Sequence, residues 1–170
     1  LVDNCQHVSM VCCTNLADFS RRVGIEGLFR REPVITFLGT DGRTSELRAG
    51  IAPAPFHLSG SFLRAKHLKW RDKIRIAYGL ARLALDETVA ESDEPFADWL
   101  IRNGQNVRTM TLFWGTVLVS ALNERLDRMD AGLARQVFID GFLMNREGFQ
   151  MEVPAAPLGE LYGVRLEGWL

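Results

Sequence analysis

The feature that most constrains this fold is an uncharged stretch from Thr109 to Asn123, which reads TMTLFWGTVLVSALN. Apolar side chains occupy nearly the whole circumference of a helix built on it. Such a helix is either buried on all sides or faces another apolar surface. The stretch therefore predicts a central core helix or a helix with one face lining a tunnel for an apolar ligand. In the second case the tunnel residues are Phe113, Trp114, Val117 and Leu118, and Gly115 provides a notch beside Trp114 that a tight helix crossing explains equally well.

The rest of the chain predicts an α+β fold that is mostly helical, with a small antiparallel sheet. Two β-rich runs, 34–38 and 44–48, flank Asp41-Gly42, which is a hairpin signal. Helical spacing predicts further helices at about 13–23, 70–85, 96–103 and 131–145, a strand at 151–153 and a helical turn near 157–162. In the helix at 70–85, one stripe is formed by apolar residues; it comprises Trp70, Ile74, Ala77, Ala81 and Ala84.

Length, charge and cysteine content exclude several classes of protein. A length of 170 residues is the size of one domain. The net charge of -1 lacks the basic excess of most nucleic-acid binders. The three cysteines are odd in number and two are adjacent, so they predict neither a disulfide framework nor a zinc site. No metal is expected, and a reducing, cytoplasmic location fits best. No apolar run approaches the roughly 20 residues of a membrane-spanning helix.

A basic segment with interleaved aromatic residues precedes the helix at 70–85. Its charge is concentrated between residues 64 and 75, where six cations stand against one anion. Runs of charge are usually an ordinary solvated helix face. The alternative is a patch that binds the inner, anionic surface of a membrane. The residues of the second interpretation are Arg64, Lys66, Lys69, Trp70, Arg71 and Lys73.

A cluster of polar and reactive side chains stands near the start of the chain. The run comprises Asp3, Asn4, Cys5, Gln6 and His7. His7 is the residue type best suited to proton transfer at neutral pH, although a lone histidine is more often structural. The chain contains no GxGxxG, GxSxG, HExxH or Walker loop.

Several stretches together resemble one family of enzymes. They are DNCQHV, PAPFHLSGSFLRAKHLKWRDKIR, FADWLIRNGQNVRTMTLFWGTVLVSALNE and MEVPAAPLGELYG. In this order they resemble the squalene-associated, FAD-dependent desaturase-like proteins of hopanoid biosynthesis, the hydroxysqualene dehydroxylases. These lie within the larger amine oxidase and phytoene desaturase group of flavoproteins. The family pattern usually has glycine where this chain has Cys5.

The resemblance implies a fragment of a two-domain FAD-dependent oxidoreductase. Residues 1–10 would be a flavin-proximal junction, and 11–170 the substrate-binding portion of an enzyme whose glycine-rich FAD-binding half lies upstream. Asp3 to His7 would line the flavin, with Gln6 and His7 as candidate catalytic residues. The implied reaction is reductive dehydroxylation of hydroxysqualene to squalene. Two alternatives remain open: a carotenoid or phytoene desaturase-like enzyme, and a non-catalytic helical module that binds lipid or docks on a membrane.

Overall fold

The computed structural model describes residues 7–39 and 42–169 and confirms an α+β fold that is mostly helical, with small antiparallel sheets. The helices are α1 (Thr14–Arg22), α2 (Ser59–Arg64), α3 (Trp70–Leu85), α4 (Phe96–Arg102), α5 (Val107–Thr109), α6 (Gly115–Leu122) and α7 (Ala131–Arg135). Short 3-10 helices occupy Glu26–Leu28 and Glu87–Glu91. No helix in the described part of the chain is long and apolar enough to cross a membrane.

The strands form two small sheets. They are β1 (Ser9–Met10), β2 (Phe29–Glu32), β3 (Ile35–Leu38), β4 (Thr44–Leu47) and β5 (Met151–Pro154). β5 lies between β1 and β2 and is antiparallel to both, which brings the start of the described chain against its last strand. β3 and β4 pair as the predicted hairpin, with Ile35 opposite Leu47 and Leu38 opposite Thr44.

Three helical stretches are π-helical, with the wider i→i+5 turn. Met110–Trp114 joins α5 to α6, so the predicted uncharged helix runs continuously from 107 to 122 and ends at Asn123 in the left-handed conformation. Gln136–Leu143 continues α7, and Gly159–Arg165 lies near the end of the chain. The first two of these segments contribute Trp114, Phe138, Ile139 and Phe142 to the main core.

The apolar stripe of α3 is not the side that packs in the core. The helix has the predicted bounds, and its buried residues are Asp72, Ile76, Gly79 and Leu83. The stripe that begins at Trp70 lies on another side, where Trp70 is 64% exposed and Ile74 is 56% exposed. Both stripes recur at helical spacing and both are largely apolar, so periodicity alone could not select between them. α3 is therefore a helix with two apolar faces, only one of which packs in the core.

Candidate apolar ligand cavity

A cavity of about 380 Å³ lies between the β3–β4 hairpin, α2, the second apolar face of α3 and the helices that follow it. Its lining is predominantly apolar. α3 contributes Ala77, Leu80, Ala81 and Ala84, which occupy one stripe of the helix, and α2 contributes Phe62. The cavity accounts for the alanines of the predicted stripe: they are small and leave space beside the helix.

The two π segments supply most of the opposite wall. They place neighbouring residues on the same side, so that Leu112 and Phe113 both reach the cavity, as do Phe138 and Ile139. In an α-helix, successive side chains diverge by about 100°. In the wider π turn, the side chains of successive residues point in more similar directions. π turns are also frequent at functional sites.

The structure separates the four predicted tunnel residues into two pairs. Phe113 and Val117 lie in the cavity lining. Trp114 and Leu118 do not, because both are fully buried in the core behind that wall. In this structure Trp114 and Leu118 pack in the core. Ligand contact by the four residues stays a prediction, which the geometry favours for Phe113 and Val117.

Aromatic rings connect the core to the cavity wall. Trp114 meets Phe138 edge to face at 4.9 Å between ring centroids and Phe113 at 5.2 Å. Phe113 in turn stacks on Phe138 at 5.5 Å and meets Phe62 of α2 at 6.0 Å. Such pairs add about 0.5–1.5 kcal/mol each beyond their buried area. Part of the wall is consequently a packed cluster of aromatic rings that is continuous with the core.

Sequence reasoning missed the contact that holds this wall against α3. Gln105, in the loop before α5, accepts a 3.0 Å hydrogen bond from Nε1 of Trp114 and donates one of 2.7 Å to the carbonyl of Arg75. Gly79 permits this approach, because a Cβ there would lie 2.8 Å from the Trp114 ring. The predicted notch at Gly115 has a different origin: a Cβ there would meet the Met110 carbonyl at 2.9 Å, within its own π turn.

Two serine hydroxyls of the cavity lining are engaged with the backbone. Ser61 Oγ donates to the Arg48 carbonyl at 2.7 Å, and Ser45 Oγ accepts from the Lys66 amide at 2.9 Å. His67 lies beside them, with Nδ1 3.4 Å from Ser45 Oγ. Because their hydrogen bonds are already made to neighbouring chain, these two hydroxyls stabilise the wall. The other polar residues of the lining are Glu46, Ser59 and Thr116.

A buried histidine lies close to the cavity but outside its lining. His57 is 1% exposed, and neither ring nitrogen has a hydrogen-bond partner among the described residues. Its ring faces Phe149 at 6.2 Å. Burial lowers the pKa of His57, and the positive charge of Arg146 lowers it further. A weaker polar contact with the Phe142 backbone raises the pKa and offsets part of this shift. No sequence signal distinguished His57 from an exposed loop residue.

The predicted flavin-proximal run lies mostly outside the described residues. Asp3, Asn4, Cys5 and Gln6 belong to the part that the structure does not describe, while His7 is exposed just ahead of β1. The assignment of these residues to flavin contact and catalysis stays a prediction. Within residues 7–39 and 42–169, no group of three or more His, Cys, Asp or Glu side chains is arranged to hold a metal ion.

Comparison with known proteins gives one informative similarity. The chain matches no protein-family model. It is 31% identical over 124 residues to the zeta-carotene desaturase, chloroplastic/chromoplastic, of Zea mays. The alignment covers 65% of this chain and 22% of that protein, so the chain spans about a fifth of the length of the curated relative it matches. The match supports the broad resemblance to desaturase-like oxidoreductases and does not select the hydroxysqualene dehydroxylases within them.

Proposed function

We propose that this chain is the isoprenoid-binding portion of an FAD-dependent oxidoreductase. The observation that carries the proposal is the apolar cavity of about 380 Å³ with an aromatic wall, in a chain similar to a desaturase named for a carotenoid substrate. An isoprenoid offers no charge and few polar atoms, so a site for it needs shape and apolar surface more than hydrogen bonds. Phe62, Phe113 and Phe138 provide such a surface.

The described residues do not fit a whole FAD molecule. The pyrophosphate of a dinucleotide normally binds a glycine-rich turn at a helix N-terminus, where free N–H groups and the helix dipole meet it. The sequence contains no GxGxxG loop. We therefore assign to these residues the binding and orientation of the isoprenoid and the exclusion of water, and place the dinucleotide site in a part of the enzyme that precedes this sequence.

Within this class we favour reductive dehydroxylation of hydroxysqualene as the reaction. The support is the family resemblance of the DNCQHV, WLIRNGQN and MEVPAAPLGELYG stretches. The reaction replaces a C–OH bond with a C–H bond and releases water, and it consumes two electrons. Desaturation of a carotenoid is the second candidate, favoured by the similarity to the Zea mays protein, and it releases two electrons instead.

The two candidate reactions differ in the direction of electron flow, and an activity assay can distinguish them. The protein that contains this chain is purified with FAD and offered hydroxysqualene under reducing conditions, then zeta-carotene under oxidising conditions, with products identified by mass spectrometry. Formation of squalene supports the dehydroxylase, and a product two hydrogens lighter supports the desaturase.

A pair of variants tests the cavity itself. Val117→Phe, which fills the cavity, should abolish turnover. Val119→Phe is the control, because Val119 is 43% exposed on the same helix and does not line the cavity.

A non-catalytic lipid-binding module is a candidate from a different class. It is favoured by the combination of an apolar cavity with a sequence that lacks a dinucleotide loop. The reading frame upstream of Leu1 distinguishes the two: an in-frame GxGxxG some tens of residues before it supports the enzyme. Stoichiometric binding of an isoprenoid without redox turnover, in a protein lacking that motif, would favour the module.

A further inference from the structure

The basic segment has its one anion turned inward. Asp72 is 4% exposed, and its Oδ2 accepts a 2.9 Å hydrogen bond from Nε of Arg108 and one of 3.0 Å from the backbone amide of Lys69. Ala65 and Leu68 are buried with it. These inward residues fix the path of the segment from the end of α2 to the first turn of α3. The charges on the outer surface of the segment are therefore all positive.

The outward side combines exposed cations with exposed apolar side chains. The cations are Arg64, Lys66, Lys69 and Arg71, and within the described ranges none of them forms an ion pair. The apolar residues between them are Leu63 (52% exposed), Trp70 (64%) and Ile74 (56%). We call these seven residues the basic patch. Lys73 is not included, because it is partly buried and its Nζ donates to the Leu63 carbonyl at 2.6 Å.

The basic patch adjoins the cavity on the same two helices. On α2, Ser59 and Phe62 line the cavity while Leu63 and Arg64 belong to the patch. On α3, Trp70 and Ile74 lie one to two turns before Ala77 and Ala81 on the same side, and these alanines line the cavity. Phe56 is 64% exposed and also lines it. An apolar surface therefore continues from the patch to the cavity.

We propose that the basic patch docks this protein on the surface of an anionic lipid bilayer, with the mouth of the cavity beside the membrane. The cations match the charge of anionic headgroups, and Leu63, Trp70 and Ile74 match the apolar layer beneath them. Exposed aromatic and aliphatic residues flanked by cations are typical of interfacial helices. Docking through this surface does not depend on which reaction the enzyme catalyses, so its test is independent of the test of the proposed function.

The test is sedimentation of the chain with vesicles of phosphatidylcholine alone or with one third phosphatidylglycerol. Each cation near an anionic surface changes the partition coefficient about fivefold. The variant with Arg64, Lys66, Lys69 and Arg71 all changed to Gln should therefore bind the anionic vesicles more than about a hundredfold more weakly. The matched control changes Arg21, Arg22, Arg30 and Arg128 to Gln, which alters the net charge equally at exposed positions elsewhere. Circular dichroism confirms that each variant is folded.

A second measurement tests the apolar part of the patch. Trp99 and Trp114 are fully buried, so the exposed tryptophans are Trp70 and Trp169. In a Trp169→Phe background, brominated lipids should quench Trp70 fluorescence. Trp70→Ala should weaken vesicle binding severalfold, whereas Trp169→Ala should not.

Three outcomes would overturn the proposal. One is equal binding of the parent and the patch variant to anionic vesicles. Another is binding that ignores salt and headgroup charge, since exposed charges are screened within about 10 Å at 0.1 M salt. The third is a dimer that forms through the patch and is abolished by Trp70→Ala, which would assign the surface to a second copy of the chain.

Discussion

The indole Nε1 of Trp114 donates a 3.0 Å hydrogen bond to Oε1 of Gln105, whose Nε2 donates to the Arg75 carbonyl at 2.7 Å. One buried amide thus joins the uncharged helix, the loop before it and the middle of α3. The indole and the amide are both buried, so the loss of one leaves the other unsatisfied at a cost of about 1–3 kcal/mol. This contact holds the cavity wall in place without forming part of its lining.

We expect Trp114→Ala to reduce folding stability and ligand binding together. Removal of a fully buried tryptophan costs about 3–5 kcal/mol. Trp114→Phe should cost less, because it keeps most of the packing and loses only the bond to Gln105. Chemical denaturation of the variants provides the measurement. Weakened isoprenoid binding by Trp114→Ala at unchanged stability would return Trp114 to the role of a ligand contact.

We expect Gly79→Ala to destabilise the protein although alanine is the better helix former. Alanine gains up to about 1 kcal/mol in helix propensity. Its Cβ would lie 2.8 Å from Cζ2 of Trp114 and 2.9 Å from Nε2 of Gln105, and such overpacking costs about 1–3 kcal/mol. Gly60→Ala is the control, since the Cβ there would meet only the flexible Arg64 side chain, at 3.5 Å. Unfolding midpoints should fall for Gly79→Ala and stay level or rise for Gly60→Ala.

The buried His57 predicts a stability that falls with decreasing pH. Burial and Arg146 lower its pKa in the folded state below the ordinary value near 6.5. Above about pH 6.5 His57 is neutral in both states and its contribution to stability is complete. Below that pH the unfolded chain takes up the proton first, so stability is lost progressively towards the lower folded pKa.

His57→Leu should remove this part of the pH dependence, because an apolar side chain replaces a ring without hydrogen-bond partners. Denaturation midpoints measured between about pH 5 and 8 test this expectation. An unchanged slope in His57→Leu would show that other groups titrate in this range.

We expect the 170-residue chain, purified alone, to be colourless. One edge contact from Asp3 to His7 cannot replace a pyrophosphate site, and the sequence offers no glycine-rich loop. Fusion of an upstream dinucleotide-binding half should restore a yellow protein loaded with flavin. Absorbance spectra of the dialysed proteins are the measurement. Stoichiometric FAD on the chain alone would show that the flavin-proximal role of this run is wrong.

Secondary structure was largely predictable where apolar spacing is regular. The bounds of α3 and of the continuous helix from 107 to 122 follow from their patterns, as does the β3–β4 hairpin. β2 was missed because its sequence, FRRE, has only one apolar residue and pairs through its backbone. Short strands of this kind depend on partners distant in the chain, here β5, and carry little local signal.

The site was predictable only in part, because burial depends on which helix faces meet. Phe113 and Trp114 are adjacent and both aromatic, yet one lines the cavity and the other is sealed in the core. The difference arises from the π turn and from Gly79 on a different helix, and neither appears in the local pattern. Asp72 shows the same limit, since a charged residue is buried because Arg108, 36 positions away, accompanies it.

The π turns at Met110–Trp114 and Gln136–Leu143 each hold one more residue than an α-helical turn. Deletion of a single residue from either turn would restore α-helical geometry, and the helical segments on both sides would keep their relative orientation because the extra residue is accommodated within the π turn. The directions of the side chains inside the turn would change, and in Met110–Trp114 these include Leu112 and Phe113 of the cavity wall. The volume and outline of the cavity are therefore coupled to chain length at two points, so that single-residue insertions and deletions, as well as substitutions, are a route by which the cavity could be reshaped.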